Sequence, residues 1–138
     1  MKVLITNANS RMALCMTRRL AREGNRIIVG DYIAKPLASF SRYAWKNARY
    51  PSPYSAPEKF LETIADIIRA EHIDVILPIH EETFLFAKNK SLLQTNVKCC
   101  LPDYEAILKV HNKEFLHDYL VALNIDTPRT MRLSQSRG

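Results

Sequence analysis

The chain has 138 residues, of which 47% are hydrophobic and 25% charged, and it contains only 3 Gly and 7 Pro. This composition provides enough apolar material for one packed core and excludes a disordered, collagen-like or low-complexity chain. The net charge of +6 favours anionic partners, but the basic residues are spread along the chain without interleaved aromatic residues. Nucleic acid is therefore not an expected partner.

Nothing in the sequence indicates export, membrane insertion or metal binding. No apolar run approaches the ~20 residues that cross a bilayer, and the first residues lack the pattern of a secretory signal. Cys99 and Cys100 are adjacent, which leaves only Cys15 as a disulfide partner for either, and no Cys or His spacing fits a metal site. We therefore predict a cytoplasmic protein without membrane contacts, whose cysteines are buried as small hydrophobic residues.

The first half of the chain alternates between strand and helix patterns. Short apolar runs typical of buried strands occupy residues 2–6, 26–30 and 74–79. The helix after the first strand is expected to bury four apolar residues at helical spacing, Met12, Cys15, Met16 and Leu20. A second helix is predicted to begin at Pro57, where Ser55 and Glu58 have the spacing of a capping box.

The alternation is less regular between the second strand and Pro57 and after the 74–79 strand. Before Pro57, a turn of helix is predicted near residues 39–45 and an edge strand near 48–50. The later elements are a helix at 81–90, a strand at 97–101, a helix capped by Asp103, a helix capped by Asn112, and an extended segment at 127–133. Strands that are apolar along their whole length indicate a parallel sheet. We therefore predict a Rossmann-like α/β fold with helices on both faces.

Ligands of such sheets bind outside the carboxyl ends of the strands, so the loops there are the candidate site. The first loop has the order of a dinucleotide-binding fingerprint, but Asn7, Asn9 and Met12 stand in place of its three glycines. The start of the following helix, with Ser10 and Arg11, suits a small anion such as a phosphate or carboxylate. A purely structural turn is the alternative.

Acidic residues follow the second strand and the 74–79 strand. Asp31 stands where an acidic residue would hold a ribose hydroxyl, although an aspartate there also favours a turn. His80, Glu81 and Glu82 stand where a helix begins, and a helix N-terminus by itself stabilises carboxylates. We assign Asp31, His80 and Glu81 to the candidate substrate site and interpret Glu82 as local helix chemistry.

Six segments, taken together, resemble the start of ATP-grasp ligases, especially the carbamoyl-phosphate-synthase-like members. They are KVLITNANSR, DYIAKPLASFSR, YPSPYSAPEKF, DVILPIHEETF, LPDYEAILKVHNKEFL and NIDTPRT. The resemblance implies a pre-ATP-grasp domain at residues 1–110, followed at 111–138 by a linker helix and the start of an ATP-grasp domain. The two lobes that hold ATP and magnesium in that family would lie beyond this sequence.

The resemblance also implies a function. It implies a substrate-binding domain that is not catalytically complete alone and works with the remainder of the enzyme, in cis or as a separate chain. A small-molecule carboxylate would contact Asn7, Asn9, Ser10 and Glu81, and Lys113 would contact the nucleotide. ATP and Mg would act in the complete enzyme, with neither expected to bind tightly to this chain.

Two further interpretations remain open. The chain could be a free-standing Rossmann-like domain that binds NAD or NADP, which the first strand and Asp31 favour and the missing glycines disfavour. A homodimer is also compatible with the sequence.

Overall fold

A computed structural model describes residues 1–93, 97–99 and 101–131 of the chain. The chain forms two compact units, Met1–Leu101 and Pro102–Gly138. The helix after Asp103 belongs to the second unit, and the domain boundary at residue 110 stays a prediction.

Within the described residues, the first unit alternates strands and helices. Its strands are β1 (Lys2–Ile5), β2 (Arg26–Asp31), β3 (Ala44–Arg49) and β4 (Val75–Leu77). Its helices are α1 (Arg11–Arg22), α2 (Pro57–Glu71) and α3 (Glu82–Lys88), with 3-10 turns at Leu37–Phe40 and Lys90–Leu93. The second unit contains α4 (Tyr104–His111) and α5 (Lys113–Ala122).

The four strands form one parallel sheet in the order β3-β2-β1-β4. Leu4 of the central strand β1 pairs with Ile28 on one side and with Ile76 on the other. The chain moves outward from β1 to β3 and then returns to the opposite side of β1 at β4. The direction of winding therefore reverses between β1 and β4, which is where ligands bind in sheets of this kind.

Helices cover both faces of this sheet, because successive side chains of a strand point to opposite sides. Leu4 packs on one face in a core that includes Phe60 of α2 and Phe86 of α3. Ile5 packs on the other face in a core that includes Ala13 of α1. The predicted Rossmann-like α/β fold with helices on both faces is confirmed.

The buried face of α1 differs from the predicted stripe. Met12 is 54% exposed and Cys15 is exposed, whereas Ala13 and Thr17 are fully buried. The small Ala13 side chain allows the helix to lie close to the sheet, and the Thr17 hydroxyl donates to the Ala13 carbonyl at 2.7 Å. The prediction that the cysteines are buried is therefore wrong for Cys15.

Cysteines in the second half of the first unit give a mixed outcome. Cys99 is half-buried, and Cys100 lies outside the described residues.

No helix in the described part of the chain combines the length and the apolar character that crossing a membrane requires.

Three local predictions also need correction. Helix α2 begins at Pro57 as predicted, but Ala56 precedes it as N-cap without a side-chain hydrogen bond, so Ser55 does not cap it. For the strand predicted at 97–101, residues 97–99 and 101 show an isolated parallel bridge between Lys98 and Val75 in place of a regular strand, and residue 100 lies outside the described residues. Residues 127–131 form no strand, and the rest of the extended segment lies outside the described residues.

The second unit confirms the predicted start of α5. The Asn112 side-chain oxygen accepts hydrogen bonds from the N–H groups of Glu114 at 2.9 Å and Phe115 at 3.3 Å. These bonds satisfy two of the N–H groups that a helix leaves free at its start. Lys113 is the first residue of this helix, and its side chain is exposed.

Candidate functional site

The loops after β1 and β4 leave their strands through residues in the left-handed region. Asn7 has a φ of 50° and His80 a φ of 56°. Asparagine and histidine adopt this conformation more readily than most residues other than glycine. Asn7 therefore retains the tight turn that a glycine makes in the dinucleotide-binding fingerprint, and the two turns flank the reversal point of the sheet.

Asp31 holds the first loop against the end of β2. Its side chain is 1% exposed, and its two carboxylate oxygens accept the N–H groups of Asn9 at 2.8 Å and Ile33 at 3.0 Å. The Asn9 side-chain oxygen in turn accepts the N–H of Leu37 at 3.2 Å. Each Asp31 oxygen therefore accepts one backbone N–H, and the buried carboxylate connects the loop after β1 to the segment after β2.

Ser10 caps α1 at the same edge of the sheet. Its hydroxyl oxygen accepts the N–H of Ala13 at 3.0 Å. A helix leaves its first N–H groups without partners inside the helix, and those of Arg11 and Met12 find no acceptor elsewhere among the described residues. The start of α1 therefore presents free N–H groups and the exposed Arg11 side chain to an anion.

A buried tyrosine, Tyr50, connects the ends of three strands. It directly follows β3, is 3% exposed, and its ring packs edge-on against Phe60 with ring centroids 4.9 Å apart. Its hydroxyl oxygen accepts the N–H of Asn7 at 2.9 Å. The same oxygen lies 3.0 Å from the carbonyl oxygen of Gly30 and 2.9 Å from Oε1 of Glu82. This hydroxyl therefore fixes the loops of β1 and β4 to each other.

Glu82, the first residue of α3, is 1% exposed. Burial raises the pKa of its carboxyl from 4.5 to about 7, and the nearby charge of Asp31 adds to the rise. Thr6, Tyr50 and the N–H of Asn7 oppose it. Among the described residues, Thr6 Oγ1 is buried without a hydrogen bond of ordinary geometry. Near neutral pH, Glu82 therefore exchanges between its neutral and charged forms.

The contact between Glu82 and Tyr50 can form in both protonation states of the carboxyl. Tyr50 has one hydroxyl proton but two neighbouring acceptors, the Gly30 carbonyl and the Glu82 carboxyl. A protonated Glu82 donates to the Tyr50 oxygen, which leaves the Tyr50 proton free for Gly30. An ionised Glu82 takes that proton instead. Either protonation state of Glu82 therefore keeps a hydrogen bond with Tyr50, and burial, not this bond, raises the pKa of the carboxyl.

Exposed side chains form the outer rim of this edge. Glu81 is exposed, unlike its neighbour Glu82, and His80 is also exposed. The rings of Tyr32 and Tyr54 meet edge to face with centroids 6.2 Å apart. Desolvation, followed by the charge of Glu81, raises the pKa of Tyr54 above its usual value of 10.0. The charge of Glu81 therefore reaches the Tyr54 hydroxyl, and the sequence analysis assigned neither tyrosine to the site.

The candidate residues of the first unit all lie at the carboxyl edge of the sheet, at the end of β2 or in the loops that follow β1 and β4. They are Asn7, Asn9, Ser10, Asp31, His80 and Glu81. Lys113 lies in the second unit. The sequence analysis missed Tyr50 and gave Glu82 a purely local role. An acidic pair directly after an apolar strand was the available signal, but it does not reveal which carboxylate points inward.

The Tyr50 ring packs directly against Gly30, which has no side chain. We therefore expect replacement of Gly30 to destabilise the fold. A Cβ at this position would lie 2.9 Å from Cε1 of Tyr50. Gly30→Ala should therefore lower the free energy of unfolding by about 1–2 kcal/mol, because the ring must shift away from its hydrogen bonds. Urea unfolding at neutral pH measures the effect, and an unchanged transition would contradict the close packing.

Solved structures share this fold, although no protein-family model and no curated protein sequence matches the chain. An L-amino acid ligase from Bacillus licheniformis has a TM-score of 0.69 at 14% identity, over 92% of this chain and 31% of that one. The biotin carboxylase domain of a single-chain bacterial carboxylase has a TM-score of 0.63 at 13% identity, over 91% and 30%.

A third structure extends the same likeness. N5-carboxyaminoimidazole ribonucleotide synthetase from Thermotoga maritima has a TM-score of 0.60 at 19% identity, over 93% of this chain and 32% of that one. The chain thus spans about a third of the length of these proteins. The predicted resemblance to ATP-grasp ligases is confirmed as a shared fold, in the N-terminal-like part of their chains.

Proposed function

We propose that the chain is the substrate-binding N-terminal domain of an ATP-grasp, carbamoyl-phosphate-synthase-like ligase that joins a carboxylate to an amine. The observation that carries this proposal is the extent of the structural likeness. It includes 92% of this chain but only 31% of the L-amino acid ligase. The proposal therefore assigns ATP cleavage to the remainder of the enzyme, in cis or in a separate chain.

The arrangement of the carboxyl edge supports binding of a small carboxylate substrate. The free N–H groups at the start of α1 and the exposed Arg11 side chain suit a carboxylate. Asn9 and Glu81 are exposed and can reach a ligand there, whereas Asp31 serves to hold the loop. In this proposal, Asn7, Ser10 and His80 complete the site through their positions in the two loops.

In this proposal, magnesium and ATP are bound mainly by the remainder of the enzyme. Across residues 1–93, 97–99 and 101–131, no group of three His, Cys, Asp or Glu side chains is arranged to hold a metal ion. Lys113 is exposed at the start of α5. In this proposal, its side chain contacts the nucleotide.

The 138-residue chain should neither hydrolyse ATP nor bind it tightly. Phosphoryl transfer needs positioned magnesium and charge stabilisation, and one exposed lysine does not supply these. Calorimetric titration with ATP and magnesium, together with a phosphate-release assay, measures both properties. Magnesium-dependent ATP turnover by this chain at ordinary enzyme rates would overturn the proposal.

In the intact ligase that contains this domain, Lys113→Ala should weaken ATP binding. The loss of one charge-assisted contact should cost about 1–3 kcal/mol, while the fold of this domain stays unchanged. Lys88→Ala is the matched control, because Lys88 is an exposed lysine at the end of α3. Equal ATP affinity for Lys113→Ala and the wild type would remove Lys113 from the nucleotide site.

The alternative function is a free-standing domain that binds NAD or NADP. The β3-β2-β1-β4 order favours it, because dinucleotide-binding sheets share that order. Titration of the same chain with NAD and NADP separates the two functions. Tight nicotinamide binding would support the alternative, and its absence would leave the ligase proposal standing.

A further inference from the structure

A cavity lined by three arginines lies between α1 and the segment that precedes β3. It has a volume of about 390 Å³ and is formed by the C-terminal half of α1, the 3-10 turn at Leu37–Phe40 and the residues just before β3. Its lining residues are Arg18, Arg22, Phe40, Ser41, Arg42 and Tyr43. We call it the arginine cavity. Its size falls within the range of small-molecule sites.

Tyr43 orients two of the three guanidinium groups. Its hydroxyl oxygen accepts a hydrogen bond from Nη2 of Arg42 at 3.0 Å and lies 3.5 Å from Nε of Arg22. The guanidinium carbons of these arginines lie 5.0 Å and 5.4 Å from the centre of the Tyr43 ring. Two positive groups are thus held around one ring.

The arginine cavity has no neutralising carboxylate. No acidic side chain is among its lining residues, and within the described chain none of its arginines forms an ion pair. Arg19 on the same helix differs, because it pairs with Glu23 at 2.8 Å and does not line the cavity. Hydrogen bonds from Arg22 and Arg42 lower the pKa of the Tyr43 hydroxyl from 10.0 to about 8. The local field therefore favours negative charge.

We propose that the arginine cavity binds a small organic phosphate of nucleoside monophosphate size, with its phosphate on the arginines and its ring against Phe40. Planar guanidinium groups match phosphate oxygens in paired hydrogen bonds. Phe40 lines the cavity and is 73% exposed, which leaves its ring free for contact with a planar base. The inference stands on these residues alone and does not depend on the ligase proposal.

Titration with AMP tests the proposal through the tyrosinate absorbance of Tyr43 at a pH of about 8. A bound phosphate disfavours the charged phenolate, so AMP should lower this absorbance with a saturable dependence on concentration. Arg22→Gln and Arg42→Gln should each weaken AMP binding, measured by calorimetry, by about tenfold. Arg19→Gln removes the same charge outside the cavity and should change binding by less than about twofold.

The ring contact has its own test. Phe40→Ala should weaken AMP binding and leave the binding of ribose 5-phosphate unchanged, because only AMP carries a ring that packs there. The proposal is overturned if AMP gives no saturable signal, or if Arg19→Gln weakens binding as much as Arg42→Gln. Binding of a single-stranded oligonucleotide in place of AMP would overturn it as well. Circular dichroism of each variant confirms that it is folded.

Discussion

Replacing Glu82 by glutamine should stabilise the protein by about 3 kcal/mol above pH 7 and leave its stability unchanged below pH 4.5. Glutamine has nearly the shape of a neutral glutamic acid and donates to the same Tyr50 oxygen, but it carries no charge to desolvate. The wild-type carboxyl has a pKa of about 7 in the folded chain, against a usual value of 4.5. The gain in the free energy of unfolding is the difference between these two pKa values multiplied by about 1.36 kcal/mol per pKa unit.

The direction of this pH dependence follows from where the proton binds. Between pH 4.5 and 7, the folded chain keeps Glu82 protonated while the unfolded chain releases the proton. The unfolded state therefore binds fewer protons, and the contribution of Glu82 to stability falls as the pH rises through this range. Above pH 7 the carboxyl is ionised in both states, and the difference from the glutamine variant becomes constant.

Glu81→Gln provides the matched control for this measurement. Glu81 is the adjacent carboxylate, but its side chain is exposed, so its variant should follow the wild-type pH dependence. Urea unfolding of the wild type and both variants at several pH values measures the effect. If Glu82→Gln runs parallel to the wild type from pH 4.5 to 8, the carboxyl is not held neutral in the folded chain.

Tyr50→Phe should lower the free energy of unfolding by about 2–4 kcal/mol at neutral pH. The change removes the acceptor of the Asn7 N–H and the partner of the Glu82 carboxyl, both at 2.9 Å. Each buried polar group left without a partner costs about 1–3 kcal/mol. The ring still packs against Phe60, so the loss isolates the hydroxyl group.

Tyr54→Phe is the control for that variant, because Tyr54 is 62% exposed and its loss of a hydroxyl should have little effect on stability. Urea unfolding measures both variants under the same conditions. A Tyr50→Phe variant as stable as Tyr54→Phe would show that the hydroxyl does not hold the loops together. Combining Tyr50→Phe with Glu82→Gln should give a loss that differs from the sum, since the two groups share one hydrogen bond.

The sheet could be predicted from the sequence because its information is local. The apolar runs that form β1, β2 and β4 stand between turn residues, and a run that is apolar along its length specifies a strand buried on both faces. The cap of α5 by Asn112 depends on neighbours in the chain, and it too was predicted. The buried face of α1 was not predicted correctly. Hydrophobicity alone favours burial of Met12, whereas close packing of the helix against the sheet requires the small side chain of Ala13.

The interior of the candidate site required the structure because its contacts are long-range. Tyr50 and Glu82 are 32 positions apart, and no local pattern pairs them. Glu81 and Glu82 have the same charge and the same local setting, yet one is exposed and the other is 1% exposed. Only the position at which α3 starts determines which of the two carboxylates points inward.

The Tyr50 contacts also constrain how related sequences can diverge. The ring fits over position 30 because that residue has no Cβ, and the hydroxyl needs its partner at position 82. A change at one of these three positions alters which residues the other two tolerate, so Gly30, Tyr50 and Glu82 should be exchanged as a set. While that set is intact, exposed positions such as Glu81 can change without disturbing the buried hydrogen bonds that hold the loops together.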